Sequence, residues 1–396
     1  MENIKDFIIN EQIENDIHYR EKIVESGEVF EAEVKVPERE CSLWVRGVDE
    51  PVCKLNLISL NIRFGSVALP AEGVLAVSTP PHQRRKGFMT KLLNHCLKRM
   101  KLRVPMAFLY GIKDFYPKFG FSTCLADSEI QIHTGSRHHL DVDSGILIQK
   151  GDFTDLQEIV SLYNKIHSKR PLTLSREKKW DQIPRDKAWK PGSVINLAKK
   201  NDKLLGYMIT EKKIWGWNTK VGMGESKEFS KIWEIVSTDL TSAYNLLAHA
   251  LKDAKKQDCS KISFWEPTDS SVGKAARLIG CNVILSYPSN AGGMGKILNR
   301  KKFLELLKPE LDRRANTISC GLNKNEDLLT RLISGHVITN SSTLLGFSLG
   351  YEKFEDYDSG KLNVISDNDR ETLSVWFPGG GTSGLLIPFA HKLDRF

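Results

Sequence analysis

The stretch from residue 74 to residue 89, which reads VLAVSTPPHQRRKGFM, limits what this chain can fold into more than any other. Its opening apolar run predicts a buried strand, and the pair Pro80-Pro81 ends that strand because proline lacks a backbone donor and fixes φ. From Phe88 to Met100 apolar side chains then return at helical spacing. The stretch therefore predicts a strand, a basic turn and the start of a helix.

Positive charge is concentrated in the turn between this strand and this helix. Arg84, Arg85 and Lys86 stand side by side and are followed by Gly87. The first N–H groups of a helix have no partner within it, and the helix dipole favours negative charge at the same end. Arginine and lysine side chains can neutralise the remaining charge of a phosphate. We therefore expect a pyrophosphate site here, with an exposed basic turn as the alternative.

The whole-chain composition is that of a globular protein with more than one domain. The chain has 396 residues, which suits two or three domains, and 27% of them are charged. It has no apolar run long enough to span a membrane, and its N-terminus lacks a signal-peptide core. The 7 cysteines are scattered and never form a C-x-x-C pair. A cytoplasmic protein without a disulfide framework or a structural metal is therefore expected.

The net charge of +8 is mildly basic for this length. Nucleic-acid binders concentrate such charge on one face, whereas the basic clusters here are short. Solvated helix faces together with one anion site explain the charge better than a nucleic-acid surface does.

The order of predicted elements occurs twice along the chain. The first unit has strand-like runs between residues 27 and 79, a helix over 86–101, and further strands in MAFLYG and SEIQIHT, which together indicate an α/β sandwich. A second unit starts near Gly145 and repeats the order of hairpin, strand, helix, strand, short helix and strand. Asn201-Asp202 marks the turn of its hairpin. A duplicated fold is the simplest explanation.

The second copy lacks the basic turn. Thr238-Asp239-Leu240 occupies the corresponding place, with no glycine and no cation, and an aspartate there would repel a pyrophosphate. The later PGGGTSG segment at 378–384 lacks the Lys-Ser/Thr of a phosphate-binding loop and opens no helix, so it is expected to be a flexible loop. Only the first unit is therefore expected to bind a pyrophosphate.

The first unit resembles the GNAT superfamily of acyl-CoA-dependent N-acetyltransferases. Pro81-x-x-Arg84-x-x-Gly87 follows a strand, as in that superfamily, and FYPKFGF at 115–121 comes after the next strand. The superfamily signature Arg/Gln-x-x-Gly-x-Gly/Ala is matched at its first two positions, while Met89 stands where a second small residue is usual. Within the superfamily the chain is similar to the Eis-like (enhanced intracellular survival) enzymes in length, in its two tandem units and in its Leu-Asp-Arg-Phe ending.

This resemblance implies an α/β (α+β) fold of two tandem GNAT-like units followed by a sterol-carrier-like α/β domain. The implied boundaries are 1–144 for a catalytic unit with an acetyl-CoA site, 145–291 for a unit without the cofactor motif, and 292–396 for the C-terminal domain. The first helices of the usual GNAT unit are expected to be shortened, because the N-terminal 26 residues do not match them.

The resemblance also implies roles for individual residues. Backbone groups at Val77–Thr79 would pair with the pantetheine arm of acetyl-CoA, and the missing Cβ of Gly87 would let the backbone approach the pyrophosphate. Tyr116 would be the general acid, since a phenol with a pKa of about 10 stays protonated at neutral pH. The terminal carboxylate of Phe396 would be the base. The implied cofactor-binding residues are Val77, Ser78, Thr79, Arg84, Arg85, Lys86, Gly87, Phe88 and Met89.

Simpler interpretations remain open for two of these residues. Tyr116 could be a core aromatic, and Phe396 could end a tail on the surface. Cys124 is expected to pack in the core, because direct transfer needs no covalent intermediate.

The activity implied is transfer of an acetyl group to a primary amine by direct attack in a ternary complex. The acceptor is left open between a small molecule and a protein lysine. Whether the protein forms a homo-oligomer is also left open. The alternative function is that of a non-catalytic acyl-CoA-binding or scaffold protein.

Overall fold

A computed structural model describes residues 7–14, 17–26, 36–135, 142–176, 193–211, 229–316, 325–352, 354 and 366–378. Phe396 lies outside these residues, and so do the PGGGTSG segment beyond Pro378 and the predicted strand EVFEAEVKV apart from Val36. Within the described part of the chain, no helix is both long and apolar enough to cross a membrane.

Strands and helices alternate along most of the chain. The strands are β1 (Phe7–Glu14), β2 (Ile17–Ser26), β3 (Val36–Val45), β4 (Cys53–Phe64), β5 (Val67–Ser78), β6 (Met106–Gly111), β7 (Ser122–Thr123), β8 (Asp127–His133), β9 (Leu147–Gly151), β10 (Ser193–Lys200), β11 (Lys203–Glu211), β12 (Phe229–Ser237), β13 (Lys261–Trp265), β14 (Asn282–Ser286) and β15 (Gly292–Ile297). The helices are α1 (Phe88–Arg103), α2 (Leu156–Ile166), α3 (Leu240–Lys256), α4 (Ser271–Ile279), α5 (Arg300–Asn316), α6 (Asn325–Ser334), α7 (Ser341–Leu349) and α8 (Asp367–Trp376). This confirms the mixed α/β class.

Two sheets carry these strands. The first has the order β1-β2-β3-β4-β5-β6-β15-β7, and the second has the order β14-β8-β13-β12-β11-β10-β9. In each sheet one pair of neighbours is parallel, β5 with β6 and β12 with β13, and a helix connects the two strands of the pair. The repeated order of elements predicted from the sequence is therefore present as two copies of a strand–helix–strand unit.

Both sheets are covered on their two faces. The buried residues of α1 recur every three or four positions and pack on the first sheet, while the other face of that sheet packs against α5–α8. In the second sheet α3 and α4 cover one face and α2 the other. On the second sheet this face is covered by α2. On the first sheet the corresponding face is covered by helices from the C-terminal region.

Each sheet also takes a strand from the far side of a predicted domain boundary. β8 precedes residue 145 but pairs with β13 and β14 of the second sheet, and β15 follows residue 291 but lies between β6 and β7 of the first. The boundaries at 144/145 and 291/292 stay a prediction, whereas the strand exchange is a feature of the fold. It joins the two units into one hydrogen-bonded framework.

A short segment after α2 forms a further link between the units. Ile62 of β4 and Leu174 form an antiparallel bridge. The Arg63 N–H donates to the Thr173 carbonyl at 2.9 Å, and the Arg63 carbonyl accepts from the Leu172 N–H at the same distance. The segment that leads out of α2 therefore extends the first sheet from within the second unit.

A buried carboxylate fixes α5 to the turn between β4 and β5. Glu310 accepts hydrogen bonds from the Ser66 hydroxyl at 2.6 Å, from Arg313 and from Arg314. Burial opposes ionisation, but these hydrogen bonds and the charge of Arg314 outweigh it and hold the pKa of Glu310 at about 2. Gly65 takes a φ of +64° directly beneath this carboxylate, where a Cβ would lie 2.1 Å from Oε1.

Beyond β15, the described part of the C-terminal region forms α5, α6, α7 and α8. The sterol-carrier-like character of this region therefore stays a prediction.

Candidate active site

The two parallel strands of the first sheet separate partway along their length. They pair from Ala71↔Met106 to Val74↔Leu109 and no further. Past that point β6 continues through Tyr110 and Gly111, paired on its other side with β15. The gap opens at the carboxyl ends of both strands, which is where α/β sheets place ligand sites.

A β-bulge lies in β5 just where the pairing with β6 stops. Leu75 pairs with Asn56, but Ser78 pairs with Lys54, so β5 has one residue more than β4 over this interval. Ala76 takes a φ of +51°, a left-handed conformation that is rare for a residue with a Cβ. A bulge bends the strand and leaves backbone groups outside the ladder. The backbone of Val77 beside the gap is therefore available to a ligand.

Three exposed cations lie in the turn that follows β5. A short 3₁₀ turn, Pro81–Gln83, precedes them. Arg84 donates from Nε to the Thr79 carbonyl at 3.1 Å, and Lys86 donates from Nζ to Oε1 of Gln83 at 3.0 Å. Arg84 and Lys86 are thus anchored to their own turn, and all three side chains remain accessible to an anion.

The helix α1 begins without a cap. Its N-cap residue is Gly87, which has a φ of +81° and no side chain to bind the first N–H groups. A Cβ built on Gly87 would meet nothing within 4 Å, so the space in front of the helix is open. The positive φ also explains why the helix starts at Phe88 rather than at the predicted residue 86.

Phe88 and Met89 can offer a ligand their backbone rather than their side chains. Met89 is buried in the core under α1, and Phe88 packs partly against the same core. Their side chains thus serve packing, and only their backbone N–H groups at the helix start are suited to bind an anion.

Tyr116 lies against the end of β6, at the edge of the gap. A Cβ added to Gly111 would lie 2.7 Å from Cδ2 of Tyr116. The Tyr116 ring is 6% exposed and meets Phe115 edge-on at 4.9 Å, and its carbonyl accepts from the Phe119 N–H at 3.0 Å. Burial raises the pKa of the Tyr116 phenol, so it stays protonated at neutral pH. The structure places both the basic turn and Tyr116 beside one gap.

Cys124 lies in the core, as expected. Its thiol is buried, and that burial raises its pKa far above the usual value, which leaves it protonated. A thiol in this state is a poor nucleophile.

The bulge at Ala76 is the feature of this site that the sequence did not reveal. No residue type marks it, because Ala76 and Val77 read as ordinary members of a buried strand.

The second sheet has the same divergence, but charged side chains fill the space beside it. β12 and β13 pair only from Phe229↔Lys261 to Lys231↔Ser263. Just beyond, Arg176 donates two hydrogen bonds to Glu234, at 2.9 and 2.6 Å, and the Tyr207 hydroxyl donates to the same carboxylate at 2.6 Å.

The helix that follows β12 is capped by its own chain. The Asp239 carboxylate accepts the Ser242 N–H at 2.8 Å, which occupies the N-terminus of α3. The sequence predicted that this aspartate would exclude an anion, and the structure gives the aspartate a structural partner.

Comparison with known proteins assigns the part of the chain that holds the first of these sites to a class. A family model described as an acetyltransferase (GNAT) domain matches residues 19–124, a range that contains the gap, the basic turn and Tyr116. The chain therefore contains a GNAT acetyltransferase domain. The class of enzyme that this domain defines is an acyltransferase that uses an acyl-CoA co-substrate.

Solved structures share the fold at low sequence identity. A GCN5-related N-acetyltransferase from Anabaena variabilis is 16% identical with a TM-score of 0.54, and the match covers 67% of this chain and 64% of that one. One from Kribbella flavida is 14% identical with a TM-score of 0.51 and is covered over 61% of its length, against 67% of this chain. Eis1 from Mycobacterium abscessus is 14% identical with a TM-score of 0.57, and the match covers 89% of this chain and 90% of that one. No curated protein matches the chain by sequence.

Proposed function

We propose that this protein is an Eis-like, acetyl-CoA-dependent N-acetyltransferase that acetylates a primary amine by direct attack in a ternary complex. One observation carries the proposal: the gap between β5 and β6 opens beside an uncapped helix start and three exposed cations. The geometry offers an extended backbone edge for a pantetheine arm and free N–H groups for a pyrophosphate.

The residues around the gap fit acetyl-CoA in a specific order. Backbone groups of Val77, Ser78 and Thr79 would hold the pantetheine arm, because among the described residues β5 has no partner strand on the β6 side past Val74. The N–H groups that follow Gly87 would hold the pyrophosphate, supported by the guanidinium groups of Arg84 and Arg85 and the ammonium of Lys86.

Acetyl transfer places three requirements on the protein. It must hold amine and thioester together, which lowers the entropic barrier. It must stabilise the negative charge that develops on the carbonyl oxygen, and we propose N–H groups near Val77 at the bulge for this role. It must also return a proton to the sulfur when the carbon–sulfur bond breaks, and the protonated phenol of Tyr116 is our proposed donor.

The amine must lose a proton before it attacks, because an alkyl ammonium with a pKa of about 10.4 has no lone pair at neutral pH. We propose the terminal carboxylate of Phe396 as the base. We also propose that the cofactor binds in the unit 1–144 and that the unit 145–291 binds none.

A screen of acceptors by CoA release tests the proposed activity. The purified full chain is incubated with acetyl-CoA and, separately, with a polyamine, an aminoglycoside and a lysine-containing peptide. CoA release that depends on one of these amines, with mass spectrometry showing the acetylated amine, is the expected result. If the chain binds CoA but releases none with any acceptor, it is a non-catalytic acyl-CoA-binding protein.

A matched pair of glycine variants links that release to the gap. Gly87→Glu places a carboxylate where the pyrophosphate would lie and should abolish release. Gly47→Glu is the control, because Gly47 has nearly the same φ, +80°, and likewise meets nothing within 4 Å. Equal loss in both variants would mean that strain rather than the anion site causes it.

A further inference from the structure

A cavity in the second unit lies apart from both strand divergences. It has a volume of about 320 Å³ and lies between the C-terminal half of α3 and strands β9–β12. Ser230, one of its lining residues, belongs to the part of β12 that still pairs with β13. The cavity therefore lies at the start of β12, whereas Glu234 and the filled divergence lie further along the strand.

A row of three cross-strand neighbours forms the floor of this cavity. Asn196 of β10 pairs with Lys150 of β9 on one side and with Met208 of β11 on the other. Its neighbours Ile195 and Leu197 pack towards α2, so alternation along the strand turns Asn196 towards α3.

Asn196 is 5% exposed, and within the described residues its amide has no hydrogen-bond partner. Within the described residues the Asn196 amide is not one of the fully buried polar groups without a partner, so it stays accessible from the cavity. The geometry thus leaves one donor group and one acceptor group aimed into a cavity.

One face of α3 forms the roof. His249 and Asp253 of α3, and Gln257 directly after its end, follow one another at intervals of four residues and all line the cavity. Nε2 of His249 lies 3.2 Å from Oδ2 of Asp253, and Nζ of Lys256 lies 3.5 Å from Oδ1 of the same residue. The only carboxylate at this roof within the described chain is therefore already matched by neighbours.

Positive charge predominates around the cavity. Burial lowers the pKa of His249, and the nearby charges of Lys252 and Lys256 lower it further against the opposing effect of Asp253, so His249 is neutral at pH 7. The exposed ammonium of Lys150 has no ion-pair partner among the described residues. A ligand that brings a negative charge would meet this excess.

We propose that this cavity binds a small organic carboxylate, held by the ammonium of Lys150 and the amide N–H of Asn196. The hydroxyls of Thr210 and Ser230 line the same cavity and can bind a second polar group of the ligand, while Met208 and Ala250 supply apolar contact. A volume near the lower end of small-molecule pockets suits a molecule of amino-acid or hydroxy-acid size.

The test is calorimetric titration of the full chain with four probes. L-Alanine and L-lactate carry a carboxylate with a second polar group, acetate carries the carboxylate alone, and L-alaninamide lacks it. We expect at least one of L-alanine and L-lactate to bind with a Kd near or below about 1 mM, and L-alaninamide to bind at least about tenfold more weakly. Binding of L-alanine but not of L-lactate would identify the ligand as an amino acid. Binding of both would identify it more generally as a small carboxylic acid. No binding by any of them at about 10 mM overturns the proposal.

Variants of residues in the cavity floor test whether the carboxylate binds in this cavity. Asn196→Leu and Lys150→Met should each weaken binding at least about tenfold, the value of a lost hydrogen bond to a charged group. Lys203→Met, at the exposed hairpin turn of the same sheet, is the control and should bind like the original chain. Asn196→Leu removes only an unpartnered amide, so the chain should still fold. If a carboxylate binds equally well to Asn196→Leu, Lys150→Met and the control, it binds elsewhere and this assignment is wrong.

Discussion

The two parallel strand pairs of this molecule have the same architecture, but the gap beside the first is open and the gap beside the second is filled by side chains. In both, the strands separate after a few pairs, the first strand of the pair carries a register shift, and a helix crosses between them. In the first, α1 starts at an uncapped Gly87 next to exposed cations. In the second, Asp239 caps α3. The fold supplies a gap in each unit, but the side chains decide whether a ligand can enter it.

The second gap is also electrostatically unsuited to a pyrophosphate. Glu234 and Asp269 lie in or beside it, and Arg176 and Arg170 neutralise them. The Arg176 guanidinium lies 3.6 Å from the centre of the Tyr163 ring. These guanidinium groups are thus already engaged by the chain's own carboxylates and are not free to bind a pyrophosphate.

The largest expected effect comes from breaking the ion pair in the second gap. Arg176→Met leaves Glu234 buried without its charge partner, which typically costs about 3–5 kcal/mol of the free energy of unfolding. Urea unfolding measures it, with the double variant Arg176→Met/Glu234→Leu as control, since removing both charges should restore much of the loss. A loss below about 1 kcal/mol in the single variant would show that the pair does not hold this gap closed.

The next effect is on catalysis in the first gap. Tyr116→Phe keeps the packing and removes the proposed acid, so kcat should fall about a hundredfold while the Kd for CoA holds. Tyr287→Phe, at an exposed tyrosine, is the control. An unchanged kcat in Tyr116→Phe would mean that Tyr116 is a core aromatic residue without a role in catalysis.

A pH-dependent effect on stability is expected from the second gap. Glu266 is 1% exposed, and burial raises its pKa from 4.5 to about 8. Because the folded pKa is the higher one, the folded state binds the proton more tightly, and stability is lost as pH rises from about 4.5 to about 8. Glu266→Gln should therefore flatten this loss, so that the variant gains stability relative to the original chain as the pH is raised from about 4.5 to about 8. Parallel stability curves for both chains would contradict the assignment.

The smallest effect concerns the cap. Asp239→Ala should cost about 1 kcal/mol, the usual value of a lost N-cap, as measured by urea unfolding. It should not create a CoA site, because the ion pair of Arg176 and Glu234 remains in place. A gain of CoA binding in Asp239→Ala would mean that the cap alone separates the two gaps.

The sequence predicted the local elements well and the long-range ones poorly. β5, α1 and β6 follow from apolar patterns and the basic turn, all within one stretch of chain. SEIQIHT indicated a half-buried strand, but nothing local shows that β8 joins the second sheet, because strand partners are chosen by tertiary packing. Arg176 and Glu234 are 58 residues apart, and charged residues are usually exposed, so their pairing could not be anticipated.

Calorimetric titration of the full chain with CoA tests the contrast between the two gaps most directly. We predict one site per chain, loss of that site in Gly87→Glu, and an unchanged site in Gly47→Glu and in Asp239→Ala. Two equivalent sites per chain, or an undiminished affinity in Gly87→Glu, would contradict it.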